Sequence, residues 1–234
     1  MPPHPKTKKT PPPTDHTQKA YLGLRRMFFL NEIVPGQKIS YRDLAERLGM
    51  SPTPIIQALK RLEFQGLVRH EPNRGYYTEE ISLQEVEEAY ELRELIELSL
   101  LPRIVQRMDK GGLGKLDKAL TAHALAVKGN SLNERLLTDM GFHLTLCELS
   151  GCRVQKRALT NLFDLLYLKY RANMLFVTAM DAAGDEHRRI FASIKRRDLE
   201  SAEKHLSDHI RHVKKHALLS LHRQLDEKTE GAAF

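Results

Sequence analysis

A mainly α-helical chain, in which a small head bearing a β-hairpin precedes an all-α antiparallel bundle, is the fold class this sequence predicts. Three observations carry it. Residues 19–78 run through short helical periods separated by turn signals and end in two β-rich pieces. From Leu83 to about Leu225 the apolar residues recur at spacings of three and four, with no comparable strand pattern. At 234 residues and 41% apolar composition, the chain is long enough to bury a sizeable core.

Residues 1–18 are rich in Pro, Lys and Thr and offer little to bury, which predicts a disordered basic arm. From Lys19 the apolar positions Leu22, Met27, Phe28, Leu30 and Ile33 share a helical face, and Pro35-Gly36 supplies a turn. Gln37 to Ile39 reads as a short strand. Ser40 is a good N-cap with Asp43 three residues on, and Leu44, Ala45 and Leu48 form the stripe of a second helix that stops at Gly49. Ser51 with Pro52 behind it opens a third helix, with Ile55, Ala58, Leu59 and Leu62 on one face and an end near Gln65-Gly66. Leu67–His70 and Gly75–Thr78 flank a Pro-Asn-Arg-Gly turn and predict a hairpin. Together these elements predict a winged helix-turn-helix over residues 19–78, the arrangement that lays its second helix in a DNA major groove. After a linker at 79–82, six helices are expected within 83–225: Leu83 to Met108, Leu113 to Val127, Leu132 to Leu149, Arg153 to Phe176, Ala182 to Lys195 and Asp198 to Leu225. Residues 226–234 read as a frayed tail.

Charge supports this division. The formal net charge is +7, and residues 1–78 hold 13 Lys+Arg against 6 Asp+Glu, while the remainder holds 24 of each. The excess therefore belongs to the head and arm, as expected of a nucleic-acid-binding module. Two cysteines cannot form a disulfide framework. No apolar run approaches the roughly 18 residues of a membrane span, and the N-terminus lacks the apolar stretch of a signal peptide. A soluble, cytoplasmic protein with no membrane partner is expected.

The stretch PGQKISYRDLAERLGMSPTPIIQALKRLEFQGLVRHEPNRGYY resembles the DNA-binding domain of the GntR family of transcription regulators. That resemblance implies DNA contacts from Arg42, Ser51, Thr53 and Gly75. Pro52 and Ile56 stand where the family usually has arginines, so base reading is expected to shift toward Gln57, Lys60, Arg61, Arg69, His70, Asn73 and Arg74, among which Gln57 is suited to adenine.

Eight of the eleven histidines follow residue 120. Asp139 and His143 are four apart on one helical face, and His187 and His209 fall on the last two helices. Three imidazoles and a carboxylate would suit a divalent transition metal. The opposing reading is that His205, His209, His212 and His216 are one helical stripe of surface or core groups. Residues 83–222 resemble the FCD effector-binding domain, through ELRELIE, LLTDMGFHLTLCELSGC and EHRRIFASIKRRDLESAEKHLSDHI. The resemblance implies Asp139, His143, His187 and His209 as metal ligands, with His205 as the substitute should the register slip. Zinc is the first expectation for the ion, with nickel or manganese as alternatives. The resemblance also implies an effector carboxylate beside the metal, met by Arg93; Tyr167 and Arg171 are expected to line the same pocket. Arg93 can instead form an ordinary i,i+4 ion pair with Glu97 on an exposed face. Cys147 and Cys152 are expected in the core.

The resulting expectation is a homodimeric, ligand-responsive transcription regulator, not an enzyme, on a near-palindromic double-stranded DNA operator. The alternatives are a pure metal sensor and a metal-dependent enzyme. Against the enzyme, no carboxylate outside Asp139 stands in a recognisable general-base motif.

Overall fold

A computed structural model describes residues 14–129, 131–170 and 179–231. The chain divides into two compact units, Met1–Glu80 and Ile81–Phe234.

The first unit runs α1 Thr14–Phe29, β1 Lys38–Ile39, α2 Tyr41–Arg47, α3 Pro52–Phe64, β2 Val68–Glu71 and β3 Gly75–Thr78. Ser40 caps α2, its side chain accepting from the Asp43 amide at 3.2 Å. Gly49 then turns the chain at φ +61, a left-handed conformation that suits glycine, and Pro52 begins α3. Ile55, Ala58, Leu59 and Leu62 of α3 are all fully buried. Each such Ile or Leu contributes roughly 1.5–3 kcal/mol relative to exposure. The three strands form an antiparallel sheet in the order β1-β3-β2, with Ile39 opposite Tyr76 and Val68 opposite Thr78. The hairpin tip needs left-handed backbone at both Asn73 and Gly75.

Helix α1 starts five residues before the expected Lys19, inside the stretch assigned to a disordered arm. The reason is tertiary. Thr17 donates to Gln57 Oε1 at 2.6 Å, and Arg61 donates to Gln18 at 2.9 Å while stacking on the Tyr21 ring at 3.7 Å. Polar side chains on α3 thus recruit a segment with little apolar surface of its own.

The second unit contains α4 Leu83–Arg107, α5 Lys110–Lys128, α6 Leu132–Ser150, α7 Arg153–Asp164 with a π-helical turn Leu165–Lys169, α8 Ala179–Lys195 and α9 Leu199–Gly231. Gly111 and Gly112 lie inside α5, which begins three residues before the expected Leu113. Asp109 caps α5 by accepting from the Gly112 amide at 2.6 Å. A Cβ at Gly112 would meet Met108 at 3.0 Å and Leu149 at 3.2 Å, so this glycine allows close packing of helices. Gly184 likewise lies inside α8, which starts three residues earlier than expected, and α9 continues to Gly231 through part of the assigned tail. The expected helix to Phe176 leaves α geometry at Leu165, and its end lies outside the described residues.

Ser131 caps α6, accepting from the Glu134 amide at 3.3 Å. Ser131→Ala is expected to lower unfolding free energy by about 1 kcal/mol while leaving bound metal unchanged, because Asp139 lies two turns further on. An unaltered midpoint in urea denaturation would contradict this.

Candidate metal centre and DNA-facing surface

Three helices of the second unit turn polar side chains toward one buried point. Helix α6 supplies Asp139 and His143 from consecutive turns, α8 supplies His187 and α9 supplies His209. All four are buried, and one ligand atom from each lies within 4.8 Å of the others. His143 Nε2 is 3.2 Å from His209 Nε2 and 3.2 Å from His187 Nε2. Asp139 Oδ1 stands 3.4 Å from His187 Nε2 and 3.7 Å from His143 Nε2.

The outer nitrogens explain why these inner ones are electron-rich. Glu97 Oε2 lies 2.5 Å from His143 Nδ1, and Glu186 Oε2 lies 2.8 Å from His209 Nδ1. A carboxylate there fixes the proton on Nδ1 and leaves Nε2 as a lone pair. Lone pairs facing each other at such separations repel unless a cation lies among them. Nitrogens about 2.1 Å from a shared ion are about 3.0 Å apart at a right angle and about 3.4 Å apart at the tetrahedral angle. The donor set therefore fits a divalent ion.

Charges around the centre are strongly coupled. Burial alone would raise the Glu97 carboxyl, but the charges of His143 and Arg93 and their hydrogen bonds hold it at about 2. Burial would likewise raise Asp139, yet the adjacent His143, His187 and Arg93 keep it well below the usual carboxylate range. His187 is pushed well below the imidazole range by burial and by His209. His143 moves the other way, since Glu97 outweighs burial.

Arg93 and Glu97 do form the i,i+4 pair, Nε to Oε1 at 2.7 Å, but both are fully buried and not on an exposed face. The α4 positions Tyr90, Arg93, Glu97 and Leu101 share one stripe, and this stripe is the inward one. A chain of bonds Arg93–Glu97–His143 follows. The guanidinium lies over the Phe163 ring at 4.8 Å, and its Nη1 and Nη2 have no hydrogen-bond partner among the described residues. The buried Tyr90 hydroxyl also lacks one there. Tyr167 donates to Asp139 Oδ2 at 2.7 Å. Arg171 lies outside the described residues.

Sequence reasoning passed over Glu186 entirely and read Glu97 only as a surface partner. It also missed His123, whose ring meets His187 edge-on at 4.6 Å. Glu97 could have been found from its place in the ligand-bearing stripe. Glu186 carries no periodic signal, since it follows only from how α8 crosses α9. His205 lies elsewhere, its Nδ1 3.0 Å from Ser193 Oγ. Cys147 and Cys152 are buried and unbridged.

On the first unit, Arg42, Ser51, Thr53, Lys60, His70, Asn73 and Arg74 are exposed, and Gly75 is half-buried at the hairpin tip. Pro52 is exposed, whereas Ile56 is partly covered. Arg74, though mostly exposed, also pairs with Glu71 Oε2 at 3.3 Å, and three other expected contacts are more fully engaged. Gln57 and Arg61 hold α1, as described above. Arg69 bonds Glu71 at 3.2 Å and the Thr78 carbonyl at 3.1 Å, with its guanidinium 5.2 Å from the Tyr77 ring.

Comparison with known proteins agrees with both units. Residues 16–77 match the gntR family of bacterial regulatory proteins, and residues 88–212 match the FCD domain. The HTH-type transcriptional regulator YdhC of Bacillus subtilis (strain 168) is 28% identical over 205 residues, covering 87% of this chain and 92% of that protein. The HTH-type transcriptional repressor RspR of Escherichia coli (strain K12) is 24% identical over 196 residues, covering 84% and 86%. Among solved structures, E. coli McbR/YncC superposes with a TM-score of 0.76 at 19% identity over 91% of this chain and 99% of that one. A GntR regulator from Rhodococcus sp. RHA1 gives 0.75 at 19% identity over 88% and 98%. No described helix is long and apolar enough to cross a membrane.

Proposed function

Because the chain belongs to the gntR family of bacterial regulatory proteins and carries an FCD domain, we propose that it is a transcription regulator whose DNA affinity answers to a small organic acid held beside a divalent metal ion. DNA binding and regulation come with the family, whose members are regulators and not enzymes. The metal, the acid and the operator contacts are the proposal.

Asp139, His143, His187 and His209 would hold the ion. Three imidazoles and one carboxylate form a borderline-hard set that suits zinc first and nickel or manganese next. The ion would supply Lewis acidity toward an anionic oxygen. The observation that carries the acid is Arg93: a buried guanidinium with two nitrogens lacking partners among the described residues, beside a Tyr90 hydroxyl in the same condition. Glu97 supplies the counter-charge at Nε, but two buried donors left without acceptors are costly until a ligand accepts from them. A carboxylate is the planar anion that matches its two-pronged geometry. Tyr167, already donating to Asp139, would orient the ligand set, and Arg171 is a further candidate.

On the DNA side, a homodimer would place two winged heads over the half-sites of a near-palindromic operator. With Gln57, Arg61 and Arg69 engaged internally, base reading and phosphate contact would fall to Arg42, Ser51, Thr53, Lys60, Asn73, Arg74 and the backbone at Gly75. Arg42→Ala and Arg74→Ala are each expected to weaken binding and to flatten the slope of log affinity against log salt by about 1. Fluorescence anisotropy on DNA from upstream of the gene measures this, and an unchanged slope in both variants would remove these residues from the interface.

Acid that prefers one arrangement of the bundle would shift the protein toward it and, in the default case, release DNA. The test is DNA affinity titrated with short mono- and dicarboxylic acids, with and without zinc. The proposal expects an acid effect only with zinc present. If zinc alone gives the full change and no acid adds to it, the protein is a metal sensor.

A further inference from the structure

Two histidines outside the buried centre repeat its construction. His212 and His216 lie one turn apart on α9, with their Nε2 atoms 2.8 Å apart. His212 Nδ1 is 2.7 Å from Glu186 Oε1, the oxygen that Glu186 does not use on His209. That bond fixes the His212 proton on Nδ1 and turns the Nε2 lone pair toward His216, as Glu97 does for His143. Histidines at i and i+4 present both rings on one side of a helix, the spacing that lets a helix chelate a metal. His212 is 33% exposed, so a hydrated ion reaches it without opening the bundle.

We infer that His212 and His216 form a second, partly exposed transition-metal site, oriented by Glu186 from α8 and completed by water. Its ligand class is a borderline divalent ion such as zinc, nickel or copper. Two protein ligands bind more weakly than four, so this site fills after the buried one. It stands independently of the acid-sensing proposal.

The competing explanation of the same distance is a plain hydrogen bond, with His216 Nε2–H donating to His212. Full-length protein stripped with chelator and titrated calorimetrically with Ni(II), with bound nickel counted after dialysis, separates the two. The expected result is two classes of site in the wild type. His216→Ala should lose the weaker equivalent and keep the tighter, and His143→Ala should lose the tighter and keep the weaker. A single class in the wild type, or a weaker class that survives His216→Ala, overturns the inference. The second outcome would assign that class to other surface histidines. If His143→Ala does not fold, the His216→Ala titration still decides, because His216 lies outside the buried cluster.

Discussion

Glu97→Gln is expected to lower the unfolding free energy of the metal-free protein by about 3–5 kcal/mol and to weaken metal binding about 10–100-fold. Both effects come from one oxygen pair. Glu97 is fully buried between Arg93 and His143, so neutralising it leaves the guanidinium charged and uncompensated in the core. An amide NH2 facing His143 would also demand an acceptor at Nδ1. The imidazole would then carry its proton on Nε2, and a ligand would become a donor aimed at the ion. Had the pair lain on an exposed face, as one reading of the sequence allowed, the loss would be about 0–1 kcal/mol. Urea denaturation in chelator measures the first effect and competition with a chelating dye the second. A loss under 1 kcal/mol would mean that Arg93 finds another counter-charge or stays hydrated.

His143→Ala should abolish the tighter class of bound metal and, with it, any response of DNA affinity to acid. His143 is the central donor, since its Nε2 lies 3.2 Å from the corresponding atom of both His187 and His209. Without it the remaining donors lose the member that both neighbours face. Metal content of the purified variant, measured by emission spectroscopy, checks this. Full retention of the tight equivalent would rule out the proposed ligand set.

The head was largely legible because each of its signals is local. Ser40 caps α2 through an amide three residues away, the stripe of Ile55, Ala58, Leu59 and Leu62 follows helical spacing, and the hairpin turns where Asn73 and Gly75 permit. What failed there was the start of α1, which depends on Gln57 and Arg61, 40 and 43 residues along the chain from their partners. In the bundle, Asp139 and His143 were readable as a pair on one helix. The stripe from His205 to His216 was not resolvable by period. Steps of four and three residues rotate a helical position by only about +40° and −60°, so all four stay on one side of α9. Their separation comes from the crossing of α8, whose Ser193 takes His205 and whose Glu186 takes His209 and His212. The resemblance to the FCD domain selected His209, and no spacing rule would have selected Glu186.

The π-helical turn Leu165–Lys169 makes local chain length a determinant of the centre. It accommodates one residue beyond what an α-helical turn holds, and on it Tyr167 reaches Asp139 while Lys169, and Tyr170 just after it, reach Glu85 near the start of α4. Deleting a single residue here would restore regular winding and remove the position that the wider turn absorbs. Tyr167 and the two Glu85 partners could then no longer all stay in register. The identity of the side chain at the centre is thus set by a count of peptide units as much as by the residues themselves, and a chain one residue shorter at this point would present a different group to Asp139.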